Sequence, residues 1–354
     1  MAVPALYQEP LGEGVVRCHL CPHQCLLRPG DEGLCRVRRN VDGVLLAEGY
    51  GRMAAVSVEP VEKKPFYHFH PGTWTLSLGT FGCNMSCNYC QNWTISQRGS
   101  GEGEPFLGRQ EVEAQIQELK ARQPLLRSIV FTFTEPTVSI EYVRDVAAVA
   151  REKGLFVLLK TNGFLSRQPW EELLPLLDGA NIDLKGLRDE YYVRQLGGRV
   201  GPVMENIARA VEAGLHVEIT TLLVPGDFDR VEEVEAIARW LAGLNRDLPL
   251  HLPRFYPDFQ RGGAPAPWNL LDEARKAAQE HLHHVYIPGS PLPAAGDTFC
   301  PGCGTPLLRR RGFRVEPTTF LEEVAGGSYR CGACHAPLAL KGSLASPIAR
   351  TPGL

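Results

Sequence analysis

Every one of the eleven cysteines falls into one of three compact groups of four, three and four: Cys18, Cys21, Cys25 and Cys35; Cys83, Cys87 and Cys90; and Cys300, Cys303, Cys331 and Cys334. Thiols gathered on short segments suit metal binding in a reducing compartment better than a disulfide framework. The amino terminus, MAVPALYQEPLGEG, has no basic region followed by an apolar stretch, and no run of about 18 apolar residues occurs anywhere in the chain. The chain is therefore expected to be untargeted and cytoplasmic, with no membrane partner.

Between the outer cysteine groups lies enough chain for a sizeable core. At 354 residues the protein exceeds one typical domain, and 44% apolar with 22% charged residues is a soluble globular profile. A net charge of -3 gives no reason to expect nucleic acid as the main partner, and the triplet Arg309, Arg310 and Arg311 reads as a solvated turn. Apolar runs at 74–78, 129–133, 156–160, 180–184, 217–224 and 248–252 read as buried parallel strands. Helical patterns at 110–123, 139–153, 169–177, 202–214 and 230–244 separate them, several closing near glycines such as Gly154 and Gly214. A further strand is expected at 284–287, after a helix at 271–282. Repeated strand-helix units imply an α/β fold with a parallel sheet or barrel. The linker PGSPLPAAGD sets a boundary near 292, so three parts are expected: a cysteine-rich module over 1–70, a core over 71–291, and a carboxyl-terminal module over 292–354. No internal repeat or low-complexity segment is present.

The central segment GTFGCNMSCNYCQNW spaces Cys83, Cys87 and Cys90 as C-x3-C-x2-C, directly after the first core strand. A cubane cluster takes four ligands, so three cysteines leave one iron open to a non-protein ligand. The alternative is a three-cysteine zinc site completed by His68 or His70. With Tyr89 as the aromatic residue, the C-x3-C-x(aromatic)-C pattern resembles the signature of the radical-SAM superfamily. The resemblance implies a partial parallel (β/α)6 barrel and a 4Fe-4S cluster on Cys83, Cys87 and Cys90. Its open iron would chelate S-adenosylmethionine, with Tyr89 near the adenine. It also implies reductive cleavage to methionine and a 5′-deoxyadenosyl radical, with an electron donor such as ferredoxin or flavodoxin.

Barrel enzymes build their sites at the carboxyl ends of strands. After 129–133 comes TEPT, which resembles the glycine-glycine-glutamate-proline motif of related enzymes, with Thr132 and Thr134 where glycines are usual. The resemblance assigns Thr134 and Glu135 to the methionine amino group. After 156–160 comes TNG, and after 180–184 the motif DLK puts Asp183 and Lys185 on one face of an extended chain. Such a pair can hold a zwitterionic ligand or bind to itself; in glycyl-radical activating enzymes, which the chain resembles here, the motif lies in the active site. His251, in LHLPRFYPD, is a candidate for a ribose or carboxylate contact, with a structural role as the alternative.

The motifs CHLCPHQC, EGLCRVR, EKKPFYHFHPG, FTFTEPT, DLKG, RFYPD and FCPGCG, added to the central one, resemble the radical-SAM component of the AmmeMemoRadiSam system, which is pyruvate formate-lyase activating enzyme-like. That resemblance implies Memo-like and AMMECR-type domain proteins as partners, but no particular reaction. Within the lead-in EKKPFYHFHPG, His68 and His70 are expected to pack against the base of the barrel.

Two C-x2-C knuckles, about 27 residues apart, make Cys300, Cys303, Cys331 and Cys334 a zinc-ribbon or rubredoxin-like set, suited to structural zinc or to iron. Cys18, Cys21, Cys25 and Cys35 suit zinc or an auxiliary iron-sulfur cluster, with His19 and His23 at hand; a spacing unlike two-cluster ferredoxins tilts the sequence toward zinc. The expected function is a radical-SAM enzyme, oxidoreductase-like, that abstracts hydrogen from an unidentified substrate. The rivals are an activase that makes a glycyl radical on a partner protein, and a non-catalytic metal-binding protein whose modules dock nucleic acid or proteins.

Overall fold

The computed structural model describes residues 2–101, 103–324 and 326–345. Residues 346–354 of the expected carboxyl-terminal module lie outside the described residues. The chain forms two compact units. The first comprises Met1–Val58, Leu76–His216 and Pro257–Gly263; the second comprises Glu59–Thr75, Val217–Tyr256 and Ala264–Leu354. The expected boundaries near 70 and 292 both fall within the second unit.

The first unit holds the strands Trp74–Thr80, Leu126–Phe131, Phe156–Thr161 and Gly179–Asp183, side by side in chain order. Phe156–Thr161 is parallel to both its neighbours, with Val157 opposite Ile129 and Lys160 opposite Asn181. These strands are buried along nearly their whole length, which is why each reads as a continuous apolar run rather than an alternating one. Parallel neighbours need crossovers, and helices supply them. Helix Ile140–Glu152 buries Ile140, Val143, Val146, Ala147 and Ala150, the spacing of one helical face, with Ile140, Val143 and Val146 contributing about 1.5–3 kcal/mol each. It stops where Gly154 takes φ 67° and Leu155 N–H donates to the Ala150 carbonyl at 2.9 Å. Helix Val200–Glu212 ends the same way, with Gly214 at φ 75° and Leu215 N–H on the Ala210 carbonyl at 3.1 Å. A left-handed residue closing a six-to-one hydrogen bond explains the glycine at both ends.

Two three-stranded antiparallel sheets precede these elements, one from Val3–Pro4, Val44–Ala47 and Arg38–Val41, the other from Gln8–Gly12, Val15–Cys18 and Leu26–Leu27. Cys35, Val37, Phe81 and Val138 form one apolar cluster that packs this part onto the strand ends of the first unit. Beside it, the buried Arg38 guanidinium donates to the Val138 carbonyl at 3.1 Å and the Leu6 carbonyl at 2.9 Å, and pairs with Glu141.

In the second unit, His216–Thr220, Leu250–His251 and Val285–Tyr286 are parallel neighbours. Short antiparallel strands follow, from Thr298–Phe299 to Pro337–Leu338. The arginine triplet departs from the expected solvated turn: it ends strand Pro306–Arg311, and Arg310 is 6% exposed. Its guanidinium donates to Thr298 Oγ1 at 2.8 Å and the Tyr67 carbonyl at 2.7 Å and lies over the Tyr67 ring, contacts that repay its desolvation. Among the described residues no helix is long and apolar enough to cross a membrane.

Candidate functional site

The loop carrying Cys83, Cys87 and Cys90 leaves strand Trp74–Thr80 through Gly82, at φ 85°. A Cβ there would lie 2.4 Å from the Cys35 carbonyl oxygen and 2.8 Å from Val37, so only glycine fits. Backbone bonds from Ser86 to Leu196 (2.8 Å) and from Asn88 to Gln195 (3.1 Å) pin the loop, and the Asn88 side chain adds a bond to Gln195 at 2.5 Å. All three cysteines are half-buried residues. Cys83 Sγ accepts from Met85 N–H at 3.3 Å and from Asn162 Nδ2 at 3.7 Å, while Cys90 Sγ meets Ser96 Oγ at 3.3 Å.

Burial pushes the Cys83 thiol well above its ordinary range, with the Glu135 charge adding to it, and pushes Cys87 up to about 11 against the pull of Lys185. Bare thiols at these positions hold their protons, so metal binding must release them. The donor set fits an iron-sulfur cluster: three soft ligands on one loop and hydrogen bonds to sulfur. In the second unit, both His68 ring nitrogens are engaged, with Tyr286 Oη at 2.6 Å and the Ala339 carbonyl at 3.1 Å. His70 Nδ1 is likewise taken, by Ser343 N–H at 3.0 Å.

At the next strand end, Thr134 Oγ1 donates to the Thr80 carbonyl at 2.7 Å. Glu135 is 1% exposed and its carboxylate accepts four bonds: Thr137 N–H (3.1 Å), Thr137 Oγ1 (2.7 Å), Thr161 Oγ1 (2.8 Å) and Asn162 N–H (2.7 Å). Burial raises its pKa, and those donors work against the rise. Glu135 thus ties two strand ends together and presents Asn162 to Cys83. The left-handed backbone of this motif falls on Phe133 (φ 73°), between the two threonines, and turns the Phe133 carbonyl onto Asn92 Nδ2 at 2.6 Å. A bulky residue held there is a strained position of the kind found at working sites.

Asp183 and Lys185 pair, Nζ to Oδ2, at 2.8 Å. The sequence missed their third member: Lys160 Nζ donates to Asp183 Oδ1 and, at 2.6 Å, to Asn181 Oδ1. Only the parallel register, with Lys160 opposite Asn181, puts it on that face. The three side chains keep 14–22% of their surface accessible, so they line the site rather than being sealed away. Burial alone would raise the Asp183 pKa, but the two ammonium groups hold it at about 2. A depressed carboxylate adds stability that is fully present above its ordinary 3.8 and disappears as pH falls through the folded value. The stability difference between wild type and Asp183→Asn, read by urea unfolding, should therefore be constant above about pH 4 and shrink toward about pH 2; a difference that is flat across this window would remove the two-lysine clamp. Tyr89, 4% exposed, meets the Tyr191 hydroxyl at 3.4 Å, and Lys185 N–H donates to Tyr192 Oη at 2.9 Å.

His251 belongs to the other unit. It is 0% exposed and hydrogen-bonds Glu218 through Nε2 at 2.7 Å, while Glu218 also accepts from Tyr67 N–H (2.9 Å) and His68 N–H (2.8 Å). Tyr67 packs edge-on to the His251 ring and Tyr286 stacks on it.

The carboxyl-terminal cysteines converge fully. All four sulfurs lie within 4.8 Å of one another, with Cys300 to Cys334 at 3.5 Å and Cys303 to Cys331 at 3.7 Å. The two knuckles share one geometry: Cys300 N–H bonds to the Thr305 carbonyl and Cys331 N–H to the Ala336 carbonyl, both at 2.9 Å, with Gly304 (φ 71°) and His335 (φ 62°) left-handed at matching places. Four bonds of about 2.3 Å to one tetrahedral centre put the sulfurs about 3.8 Å apart, so the set fits a single ion. Cys331→Ser should lose that ion and lower the melting temperature; metal analysis per chain checks it, and an unchanged content would show the ion binds elsewhere.

Residues 78–241 match the Radical SAM superfamily. Over 315 residues the chain is 38% identical to an uncharacterised protein of Methanocaldococcus jannaschii, a match spanning 88% of this chain and 92% of that one. It is 26% identical over 151 residues to the pyruvate formate-lyase 1-activating enzyme of Escherichia coli K12, spanning 41% of this chain and 59% of that one. A radical SAM methyltransferase from Sphaerobacter thermophilus shares the fold, at a TM-score of 0.50 and 17% identity over 67% of this chain and 71% of that one. Over residues 78–241 the chain matches the radical SAM superfamily and has that superfamily's α/β fold with a mostly parallel central sheet, and over part of its length it is homologous to pyruvate formate-lyase activating enzymes. The family implies a 4Fe-4S cluster and S-adenosylmethionine.

Proposed function

We propose that Cys83, Cys87 and Cys90 hold a 4Fe-4S cluster and that the chain uses it to cleave S-adenosylmethionine reductively. One observation carries the reading: three cysteines of a single loop stand against strand ends that bring Glu135, Asn162, Asp183 and Lys185 to them. When bound, the cluster supplies the electron that splits the cofactor into methionine and a 5′-deoxyadenosyl radical, which takes hydrogen from a substrate not yet identified. Asp183 and Lys185, held by Lys160, offer a fixed charge pair to the methionine amino and carboxylate groups, and Tyr89 offers its face to the adenine. Thr134 fastens its strand end to Thr80.

The reading includes a reductant such as ferredoxin or flavodoxin, a cytoplasmic location, and a division into a cysteine-rich module over 1–70, a core over 71–291 and a carboxyl-terminal module over 292–354. It also includes the AmmeMemoRadiSam assignment, with Memo-like and AMMECR-type proteins as partners. Anaerobic protein with a verified, dithionite-reduced cluster, given S-adenosylmethionine, is expected to release 5′-deoxyadenosine and methionine in equal amounts by chromatography. Failure of both to form would sink the reading. The likeness to the pyruvate formate-lyase 1-activating enzyme supports a second version, in which the substrate is a partner protein and a glycyl radical appears on it by EPR.

A further inference from the structure

The amino-terminal cysteines enclose a space of their own. Cys18 closes strand Val15–Cys18, its N–H bonded to the Cys25 carbonyl at 2.9 Å; Cys21 lies in the turn between them, and Cys35 returns beside Gly33. Their four side chains line a cavity walled by Leu20, Leu27 and Val138, with about 10 Å3 of free space, room for a water-sized body. A single ion would close that space, because its four bonds of about 2.3 Å draw the sulfurs onto one point. A cubane does the opposite: each thiolate binds a separate iron at its own corner, and the sulfurs stand apart.

The three cysteine groups sort along this line. Among the described residues, the group whose ligand atoms all lie within 4.8 Å is the carboxyl-terminal one. Neither the amino-terminal thiols nor Cys83, Cys87 and Cys90 contract to that spacing. Arg38, 1% exposed, sets Nη1 3.9 Å from Cys18 Sγ, a cation beside thiolates that form an anionic centre with either zinc or a cluster.

The site is also built directly onto the catalytic loop. The Cys35 carbonyl occupies the space where Gly82, the residue before Cys83, would carry a Cβ. His23, which lines the cavity, reaches the carbonyl of Asn84, the residue after Cys83, through Nε2 at 2.7 Å.

We propose that Cys18, Cys21, Cys25 and Cys35 hold a second 4Fe-4S cluster, ligated entirely by cysteine and seated against the loop of Cys83, Cys87 and Cys90. With every iron bound by the protein, this cluster has no position for S-adenosylmethionine, which is left to the three-cysteine site. The proposal reverses the sequence's tilt toward zinc at this group. It goes beyond the proposed function, and the test separates the two.

The triple variant Cys83→Ala/Cys87→Ala/Cys90→Ala, purified and reconstituted anaerobically with iron and sulfide, is expected to retain about four acid-labile sulfides per chain and a 4Fe-4S signal by EPR after reduction. Acid-labile sulfide is the deciding readout, because an iron ion on the carboxyl-terminal knuckles carries none. A triple variant with no sulfide and zinc in its place overturns the proposal while leaving the three-cysteine site untouched. The complementary variant Cys18→Ala/Cys21→Ala should fall from about eight sulfides in wild type to about four, and should keep an EPR signal that S-adenosylmethionine perturbs. Should the triple variant fail to fold, wild type decides against the complementary variant: equal sulfide in the two overturns the second cluster, and a twofold difference supports it.

Discussion

Cys87→Ala is expected to lower 5′-deoxyadenosine formation by at least about a thousandfold, since the chemistry depends on the cluster as a unit and not on separable contributions. Three thiols are already the fewest that leave a single iron open, and removing one frees a second iron or loses the cluster. Cys87 is also the thiol whose sulfur feels the Lys185 charge, so its loss uncouples the cluster from the Asp183, Lys160 and Lys185 trio. The variant should fold as wild type does, because a partly exposed cysteine is removed and no buried partner is stranded. Iron and sulfide analysis beside product chromatography separates cluster loss from impaired chemistry. Undiminished 5′-deoxyadenosine would remove Cys87 from the cluster.

The second large effect concerns stability. Arg38→Met should destabilise the first unit by about 3–5 kcal/mol, because it leaves the Glu141 carboxylate, 6% exposed, without its cation. The same change strips donors from the Val138 and Leu6 carbonyls. Adding Glu141→Gln removes the stranded charge while keeping an acceptor for Leu6 N–H, now bonded to Glu141 at 2.7 Å. The double variant should therefore regain most of the loss in urea unfolding. No recovery would mean that packing of the guanidinium, not its charge, is what the fold requires.

Much of the fold was legible because its strands are buried on both faces and its helices on one. The expected strand at 156–160 is observed as Phe156–Thr161 and the expected helix at 139–153 as Ile140–Glu152, where the apolar spacing is unambiguous. The run at 129–133 shifts to Leu126–Phe131, because Phe133 takes a left-handed turn that no residue type in FTFTEPT announces. Arg310 was misread for a related reason: three adjacent arginines look solvated until the Tyr67 and Tyr286 rings receive the middle one. The candidate site shows the same split. Cys83, Cys87, Cys90 and the Asp183–Lys185 pair could be found from spacing within one segment, whereas Lys160 and Asn162 could not, having no motif beyond a strand end and TNG.

What the sequence determined by itself is therefore local: the three cysteine groups, the alternation of strand and helix, and the two-residue step that sets Asp183 and Lys185 on one face. Each follows from chain periodicity, which a handful of consecutive residues carries in full. The tertiary structure alone decided the rest. It set the parallel register that adds Lys160 to Asp183, folded Glu135 back to present Asn162 to Cys83, and enclosed His251 with Glu218. It also brought the four carboxyl-terminal sulfurs, from two knuckles far apart in the chain, within 4.8 Å of one another. Distances between residues far apart in the chain depend on how whole elements pack, and no local pattern of residue types encodes them.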